Sequence, residues 1–213
     1  MKVLSLALTV LSIVSTPASV RIDQAAADYL RPVLTSIGGG ARINYAGICP
    51  GEGKLLLPRV DAQPAPEGTT GIIAARQIFR NDPQVTVTQE QSGLLRITIG
   101  SVSTSILQTR IPTLTLDSDA QYSPASATDM IRFAMHTYAV EHGLDFDTAK
   151  HVIDYVVSGP AEGAPHLPPL MQNVTAGDAL DTVARTFKGI VLYGTCSPPD
   201  GKELFQIDYM HGS

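Results

Sequence analysis

Apolar residues recur three and four positions apart in five stretches of the chain, which is the spacing of amphipathic helices. The predicted helices cover residues 24–37, 69–80, 123–142, 147–157 and 175–188. Two of them begin at typical helix-starting residues, Ser123 followed by Pro124 and Thr175 followed by Asp178. Gly143 and Gly189 are placed to end the same two helices.

Alternation of apolar and polar positions predicts strands between these helices. The clearest pair is a hairpin, in which residues 85–88 and 95–99 alternate on either side of a turn at 90–93. Further strands are expected at 41–49, 54–60, 113–116, 190–195 and 205–209. Each alternating strand has one apolar face, so each is expected to cover a core on one side.

One short pattern occurs near both ends of the chain. Cys49 and Cys196 are 147 positions apart, and both follow a strand pattern that contains an isoleucine and a glycine. The matching residues are Ile43, Gly47, Gly53 and Lys54 in the first copy and Ile190, Gly194, Gly201 and Lys202 in the second. The repeat predicts an α+β fold in which small, internally repeated helix-plus-hairpin modules share one compact body.

Residues 1–18 have the pattern of a secretory signal. Lys2 is followed by an apolar stretch at 3–14 and by small residues at 16–18, which favours cleavage after Ala18. The other interpretation is a buried N-terminal helix. No other segment reaches about 18 consecutive apolar residues, so no transmembrane segment is expected in the mature chain, and a periplasmic or secreted location follows.

The predicted organisation continues with N-terminal α+β modules at 19–120, a helical connection at 121–169 and a C-terminal module at 170–213. An exported chain folds in an oxidising compartment, where paired cysteines form disulfides. A Cys49–Cys196 disulfide is therefore predicted, with two buried thiols as the alternative. The cysteines are far apart in sequence, so they do not form the Cys-x-x-Cys motif of a redox enzyme.

Charge argues against a nucleic-acid partner. The chain has a net charge of −5 and a pI near 5.4, and its 15 basic residues are scattered. A surface that follows phosphates needs a basic excess or a basic run.

The densest polar cluster contains two candidate metal ligands one helical turn apart, His151 and Asp154, with His142 or Asp147 as a third. The simpler interpretation is that this cluster is the solvated end of one helix and the start of another. The glycines near Lys54 and Lys202 lack the spacing of a phosphate loop, and no Gly-x-Ser-x-Gly motif occurs. No catalytic, cofactor-binding or metal-binding residue is therefore assigned.

Residues 170–209 resemble the secretin and TonB short N-terminal domain. The resemblance rests on the helix sequence from Val174 to Ala184, the strand Gly189–Tyr193, and the approach from Gly201 to Ile207. Residues 25–60 and 69–100 match that family in the order of their elements alone. The resemblance implies docking and signalling modules of the bacterial envelope.

The sequence as a whole predicts a non-catalytic periplasmic docking protein with an envelope protein as its partner. Two alternatives stay open: a periplasmic protein that binds a small ligand between modules, and a metal-dependent hydrolase that uses His151 and Asp154.

Overall fold

The structure is a computed structural model that describes residues 24–51, 53, 55–149, 163–199 and 201–211. These ranges contain five α-helices: α1 (Gln24–Ile37), α2 (Gly71–Ile78), α3 (Ser118–Tyr122), α4 (Pro124–His142) and α5 (Ala176–Phe187). They also contain eight strands: β1 (Ala41–Ala46), β2 (Val85–Gln89), β3 (Leu95–Ile99), β4 (Arg110–Thr115), β5 (Phe146–Thr148), β6 (Leu170–Thr175), β7 (Ile190–Cys196) and β8 (Glu203–Met210). The predicted signal peptide at 1–18 lies outside the described residues.

Helix ends follow the local sequence closely. The Ser123 side chain accepts a hydrogen bond from the Ser126 amide at the start of α4, and Gly143 ends that helix at φ 62°. Thr175 and Asp178 form a reciprocal capping box at the start of α5. The helix boundaries predicted at these residues are confirmed.

Six strands form one mixed sheet in the order β2-β3-β1-β7-β8-β5. β1 lies in the middle and is parallel to both neighbours, β3 and β7. β2 pairs with β3 and β7 pairs with β8 in antiparallel fashion, whereas β5 runs parallel to β8. β4 and β6 form a separate two-stranded sheet. The predicted α+β class is confirmed.

Helices cover opposite faces of the sheet in its two halves. α1 and α2 share one core with alternate residues of β1, β2 and β3. α4 and α5 share the other core with alternate residues of β7 and β8. Because successive strand residues point to opposite faces, the chain builds a core on each side of a single sheet.

The described elements repeat in order and pairing. The first unit is α1-β1-α2-β2-β3, with strand order β2-β3-β1; the second is α4-β5-α5-β7-β8, with strand order β7-β8-β5, once β6, which lies between β5 and α5 and belongs to the separate two-stranded sheet, is set aside. In each unit the first strand along the chain (β1 or β5) runs parallel to the last (β3 or β8). The strand that comes between them in the chain, called the middle strand (β2 or β7), runs antiparallel to the last. The second unit runs the opposite way and carries its helices on the opposite face.

The correspondence also holds in sequence position. The glycines that end α1 and α4 are Gly38 and Gly143, at φ 61° and 62°, and they are 105 positions apart. Ala41 and Phe146, which begin β1 and β5, have the same offset, as do Gly71 and Ala176, which begin α2 and α5. In β7 and β8, the residues that face α4 and α5 do not lie 105 positions after the residues of β2 and β3 that face α1 and α2. The offset differs by one position or more because loop lengths differ between the units.

Two units therefore meet where β1 of the first pairs with β7 of the second. Tyr45 packs against Gly194 at this junction, and a Cβ on Gly194 would lie 2.1 Å from the Tyr45 ring. The Cys49–Cys196 disulfide follows these strands and confirms the predicted pairing, with a Cα–Cα distance of 5.7 Å. It covalently joins the two units across the junction.

The structure corrects two expectations and adds a strand that was not predicted. Residues 54–60 were expected to form a strand, but those described contribute a single bridge between Ile48 and Leu56. The helix expected at 147–157 is wrong at its start, since 146–148 form β5, which pairs with β8; residues 150–157 lie outside the described residues. β6 was not predicted; it pairs with β4.

The two 147-offset copies lie side by side as β1 and β7. That they fold alike stays a prediction, because the segment after β1 forms a single bridge whereas the segment after β7 forms the full strand β8.

Candidate functional site

The strand β2 is the last strand at one end of the sheet, and no strand of the described residues pairs with its outer edge. The Gly100 amide donates to the Gln84 carbonyl, and the Glu90 amide donates to the Leu94 carbonyl. Alternation along an antiparallel pair then directs the backbone groups of Thr86 and Thr88 towards β3. The backbone groups of Val85, Val87 and Gln89 point away from the sheet.

Little of the described chain covers this edge. The Val85 amide donates to the Asp82 carbonyl, and Arg76 Nε donates to the Val87 carbonyl at 3.2 Å. Within the described ranges, no strand pairs with the outer side of β2. The outward amides of Val87 and Gln89 are therefore positioned to donate to an added strand.

The edge also lacks the features by which proteins usually block strand addition. β2 contains Thr86, Thr88 and Gln89 on its exposed positions, with no charged residue and no proline. Charges, prolines and bulges are the common protections of an edge strand. Ile73 lies one turn before Arg76 on α2, the helix that precedes β2, and its side chain is 60% exposed.

The counterpart of β2 in the second unit is β7, and the outer side of β7 is already paired with another strand. β1 pairs with it in parallel over six residues, from Ala41–Ile190 to Ala46–Thr195. α5, the counterpart of α2, extends over the added strand, and its Gly177 carbonyl accepts from Arg42 Nη1 at 2.8 Å. The molecule thus contains one completed example of the pairing that β2 leaves open.

A buried ion-pair network fixes this completed pairing. Arg42 of β1 lies 2.8 Å from Asp181 of α5, and both side chains are nearly fully buried, at 5% and 6% exposure. Arg96 lies 3.0 Å from the other oxygen of Asp181 and also pairs with Glu90. Two charges removed from water are stabilised when their geometry and hydrogen bonds are good.

Burial shifts both members of the central pair. It raises the pKa of the Asp181 carboxyl, and the positive charges of Arg42 and Arg96 oppose that shift. It lowers the pKa of the Arg42 guanidinium, and Asp181 opposes that change. The pair is therefore a structural contact whose loss would leave a charge buried without its partner.

An open groove of about 330 Å³ lies beside the disulfide. Cys49, Pro198 and Leu204 form apolar parts of its lining, and Asp147 and Lys202 bring opposite charges to it. Lys202 Nζ also donates to the Leu144 carbonyl at 3.4 Å. The groove is wide enough for a side chain or a small polar molecule.

The candidate metal ligands do not assemble in the described part of the chain. Asp147 lies 3.0 Å from His136 Nδ1 and accepts from the Thr148 amide. His142 stacks on Tyr138, with ring centroids 3.9 Å apart. His151 and Asp154 lie outside the described residues, and those that are described contain no group of three metal-ligating side chains.

The two strand tyrosines occupy different cores. Tyr45 packs with α1 and α2, and Tyr193 packs with α4 and α5. Burial raises the pKa of both hydroxyls well above the usual value for tyrosine. The two tyrosines therefore face opposite sides of the sheet.

Sequence reasoning missed the Arg42–Asp181 pair and the open edge of β2. Arg42 has apolar neighbours within a strand, and Asp181 lies within an apolar helical stretch. A charge at such a position signals a buried partner, but the sequence does not say which one. Comparison of the chain with family models, curated proteins and solved structures gave no significant match.

Proposed function

We propose that this protein is a non-catalytic docking protein of the cell envelope that receives an extended segment of a partner protein along β2. The observation that carries the proposal is the unpaired outer edge of β2, an uncharged strand at the end of a six-stranded sheet. Strand addition gives affinity through backbone hydrogen bonds and specificity through alternate side chains.

The completed β1–β7 pairing supports the same function. It indicates that this type of unit accepts a parallel strand beside its middle strand, with the following helix extending over it. A partner segment on β2 would pass beneath α2, where Arg76 and Ile73 are exposed. We propose that the partner segment carries an acidic residue for Arg76 and an apolar residue for Ile73.

An extracytoplasmic location belongs to the same proposal. The Cys49–Cys196 disulfide is typical of chains that fold outside the reducing cytosol. No helix in the described ranges is both long and apolar enough to cross a bilayer. The pattern at 1–18 and the resemblance to the secretin and TonB short N-terminal domain also favour the bacterial envelope.

The proposal is tested by removing one outward amide without disturbing the β2–β3 pairing. Gln89→Pro removes the outward N–H, and Gln89→Ala retains it as the matched control. Immobilised wild-type protein and both variants are exposed to envelope extract after crosslinking, and bound proteins are identified. We expect a protein captured by wild type and by Gln89→Ala to be reduced about tenfold or more with Gln89→Pro, since backbone hydrogen bonds contribute about 1 kcal/mol each and proline also blocks the approach of a strand.

Equal capture by all three proteins would contradict docking at β2. Capture of nothing by the wild type would count against a docking function altogether.

The groove beside the disulfide favours one alternative, binding of a small molecule. Asp147 and Lys202 would suit a ligand that carries both an amino group and a carboxylate. Thermal unfolding with a panel of amino acids and short peptides tests this: a rise in Tm that is lost in Lys202→Ala would support the alternative, and an unchanged Tm across the panel would reject it.

A further inference from the structure

We propose that copies of this chain associate head to tail, with β5 of one copy pairing in parallel with β2 of the next. This inference rests on the proposed function, because it names the partner strand for the same edge. It starts from the internal junction, where the first strand of one unit, β1, pairs with the middle strand of the other, β7.

The two ends of the sheet are the same two strand types. β5 is the counterpart of β1, since both follow a long helix and run parallel to the last strand of their unit. β2 is the counterpart of β7, since both follow the second helix and form the antiparallel hairpin. The end strands of one molecule therefore correspond to the two strands that already pair within it.

Direction and face are consistent with this assembly. The second unit runs opposite to the first and carries its helices on the other face. A next copy can therefore lie beyond β5 with its strands in the same directions as those of the first copy. Strand direction and helix face then alternate from unit to unit across both copies, and β2 of the next copy runs parallel to β5. Within the described ranges, neither β5 nor β2 has a strand on its outer side.

Backbone groups are positioned for the pairing. The Ala149 amide donates to the Phe205 carbonyl, and the Glu203 amide donates to the backbone carbonyl of Asp145. The backbone groups of Asp147 therefore point towards β8, and those of Phe146 and Thr148 point outward. The outward Thr148 amide donates to the Asp147 side chain at 2.7 Å, a bond that an incoming strand would replace. On the other copy, the outward groups belong to Val85, Val87 and Gln89.

Charge gives the strongest support. At the internal junction, Arg42 on β1 pairs with Asp181 on α5 at 2.8 Å. The residues 105 positions away are Asp147 on β5 and Arg76 on α2, which carry the same two charges in exchanged places. Head-to-tail assembly brings Asp147 of one copy to Arg76 of the next, so the junction between copies keeps an ion pair of reversed polarity.

Both residues are accessible for that contact. The Asp147 side chain is 46% exposed and lines the open groove, and its carboxylate lies 3.0 Å from His136 Nδ1, a contact that Arg76 would share or replace. Arg76 is exposed, and its Nε donates to the Val87 carbonyl. The groove also presents Pro198 and Leu204, which suit the exposed Ile73 one turn before Arg76. The incoming α2 thus has an apolar contact as well as a charged one.

The surfaces involved differ from each other, so the contact is heterologous. A heterologous contact produces rings if its rotation closes and open filaments if it does not, and it does not produce a two-fold dimer. The expected species are therefore a concentration-dependent series of oligomers.

Charge reversal tests the proposal in the full chain. Sedimentation velocity is measured over a range of protein concentrations at low salt for wild type, Arg76→Glu, Asp147→Arg and an equimolar mixture of the two variants. Arg185→Glu, the same charge change at an exposed position on α5, is the control. Circular dichroism checks that each variant is folded.

We expect wild type and the control to associate, and each single variant to associate about tenfold or more weakly because like charges then meet. The mixture should regain association, since the native Asp147 of one variant meets the native Arg76 of the other, and the introduced glutamate meets the introduced arginine. If Asp147→Arg does not fold, Asp147→Asn replaces it. Asp147→Asn is expected to weaken association, and mixing it with Arg76→Glu should restore pairs of molecules but not longer oligomers, since only the junction between the native Asp147 and the native Arg76 is regained.

Three results would overturn the proposal: wild type that stays monomeric at all concentrations, a folded Asp147 variant that associates like wild type, or a mixture of charge-reversal variants without rescue. An effect of Arg76→Glu alone would mean that β2 receives some other strand. Failure here would leave docking at β2 standing if Gln89→Pro still abolishes capture of an envelope protein.

Discussion

At the residue scale, one buried ion pair, Arg42 and Asp181, holds elements of the two units together. They connect β1 of the first unit with α5 of the second at 2.8 Å, and they are nearly fully buried. Their ionised forms have lost the solvation of water, as the raised pKa of Asp181 and the lowered pKa of Arg42 indicate. The pair therefore specifies how the two units fit together more than it adds net stability.

Removing one partner should be costly, whereas removing both should not. We expect Asp181→Ala to lower the free energy of unfolding by about 3–5 kcal/mol, because Arg42 would stay buried without its carboxylate. The double variant Arg42→Met/Asp181→Leu should lose much less, since it replaces a desolvated pair with apolar contacts. Urea unfolding followed by circular dichroism measures both, and equal losses in the single and double variants would contradict this account.

At the scale of elements, strand β2 of the β2–β3 hairpin has one edge that pairs with β3 and one edge that faces away from the sheet. Adjacent residues of β2 direct their backbone amides either to β3 or to solvent. The hairpin itself could be predicted from the alternation of valine, threonine, leucine and isoleucine. Which of its strands lies at the edge could not, because that depends on where β1 pairs.

Two neighbouring proline substitutions should therefore have different effects on stability. Thr88→Pro removes an amide that pairs with β3, and Gln89→Pro removes one that faces outward. We expect Thr88→Pro to lower the free energy of unfolding by about 1–3 kcal/mol more than Gln89→Pro does. Urea unfolding of the two variants checks this, and the reverse order would mean that the assigned alternation is shifted by one residue.

At the scale of the whole molecule, two groups of elements with the same strand order and pairing pattern lie on one sheet, joined by β1 and β7. The disulfide closes a chain segment with a sequence separation of 147 across that junction. The core of the first unit includes Ile190 and Leu192 of β7, and the core of the second unit includes Leu94, which directly precedes β3, so neither unit has a core entirely of its own. The units are therefore expected to unfold together.

Loss of the disulfide should destabilise the whole molecule. We expect Cys49→Ala/Cys196→Ala to reduce the free energy of unfolding by about 3–5 kcal/mol, because the unfolded chain regains the entropy that the crosslink removes. Thermal unfolding with and without dithiothreitol measures the effect. The reductant should lower the Tm of wild type to near that of the variant and leave the variant unchanged; a wild type insensitive to reduction would contradict the prediction.

The sequence by itself determined helices α1, α2, α4 and α5, the ends of α4 and α5, and the β2–β3 hairpin, because periodicity, capping residues and turns act over a few neighbouring positions. It also favoured the disulfide, since the signal-like pattern at 1–18 and the two cysteines together predict folding in an oxidising compartment.

Only the tertiary structure decided the strand order, the parallel pairing of β1 with β7, the strand at 146–148 and the partner of Arg42. These features join residues far apart in the chain, and their stability comes from burial against surfaces that no local pattern specifies. The open edge of β2 and the exchanged charges of Asp147 and Arg76 became visible once that long-range arrangement was known.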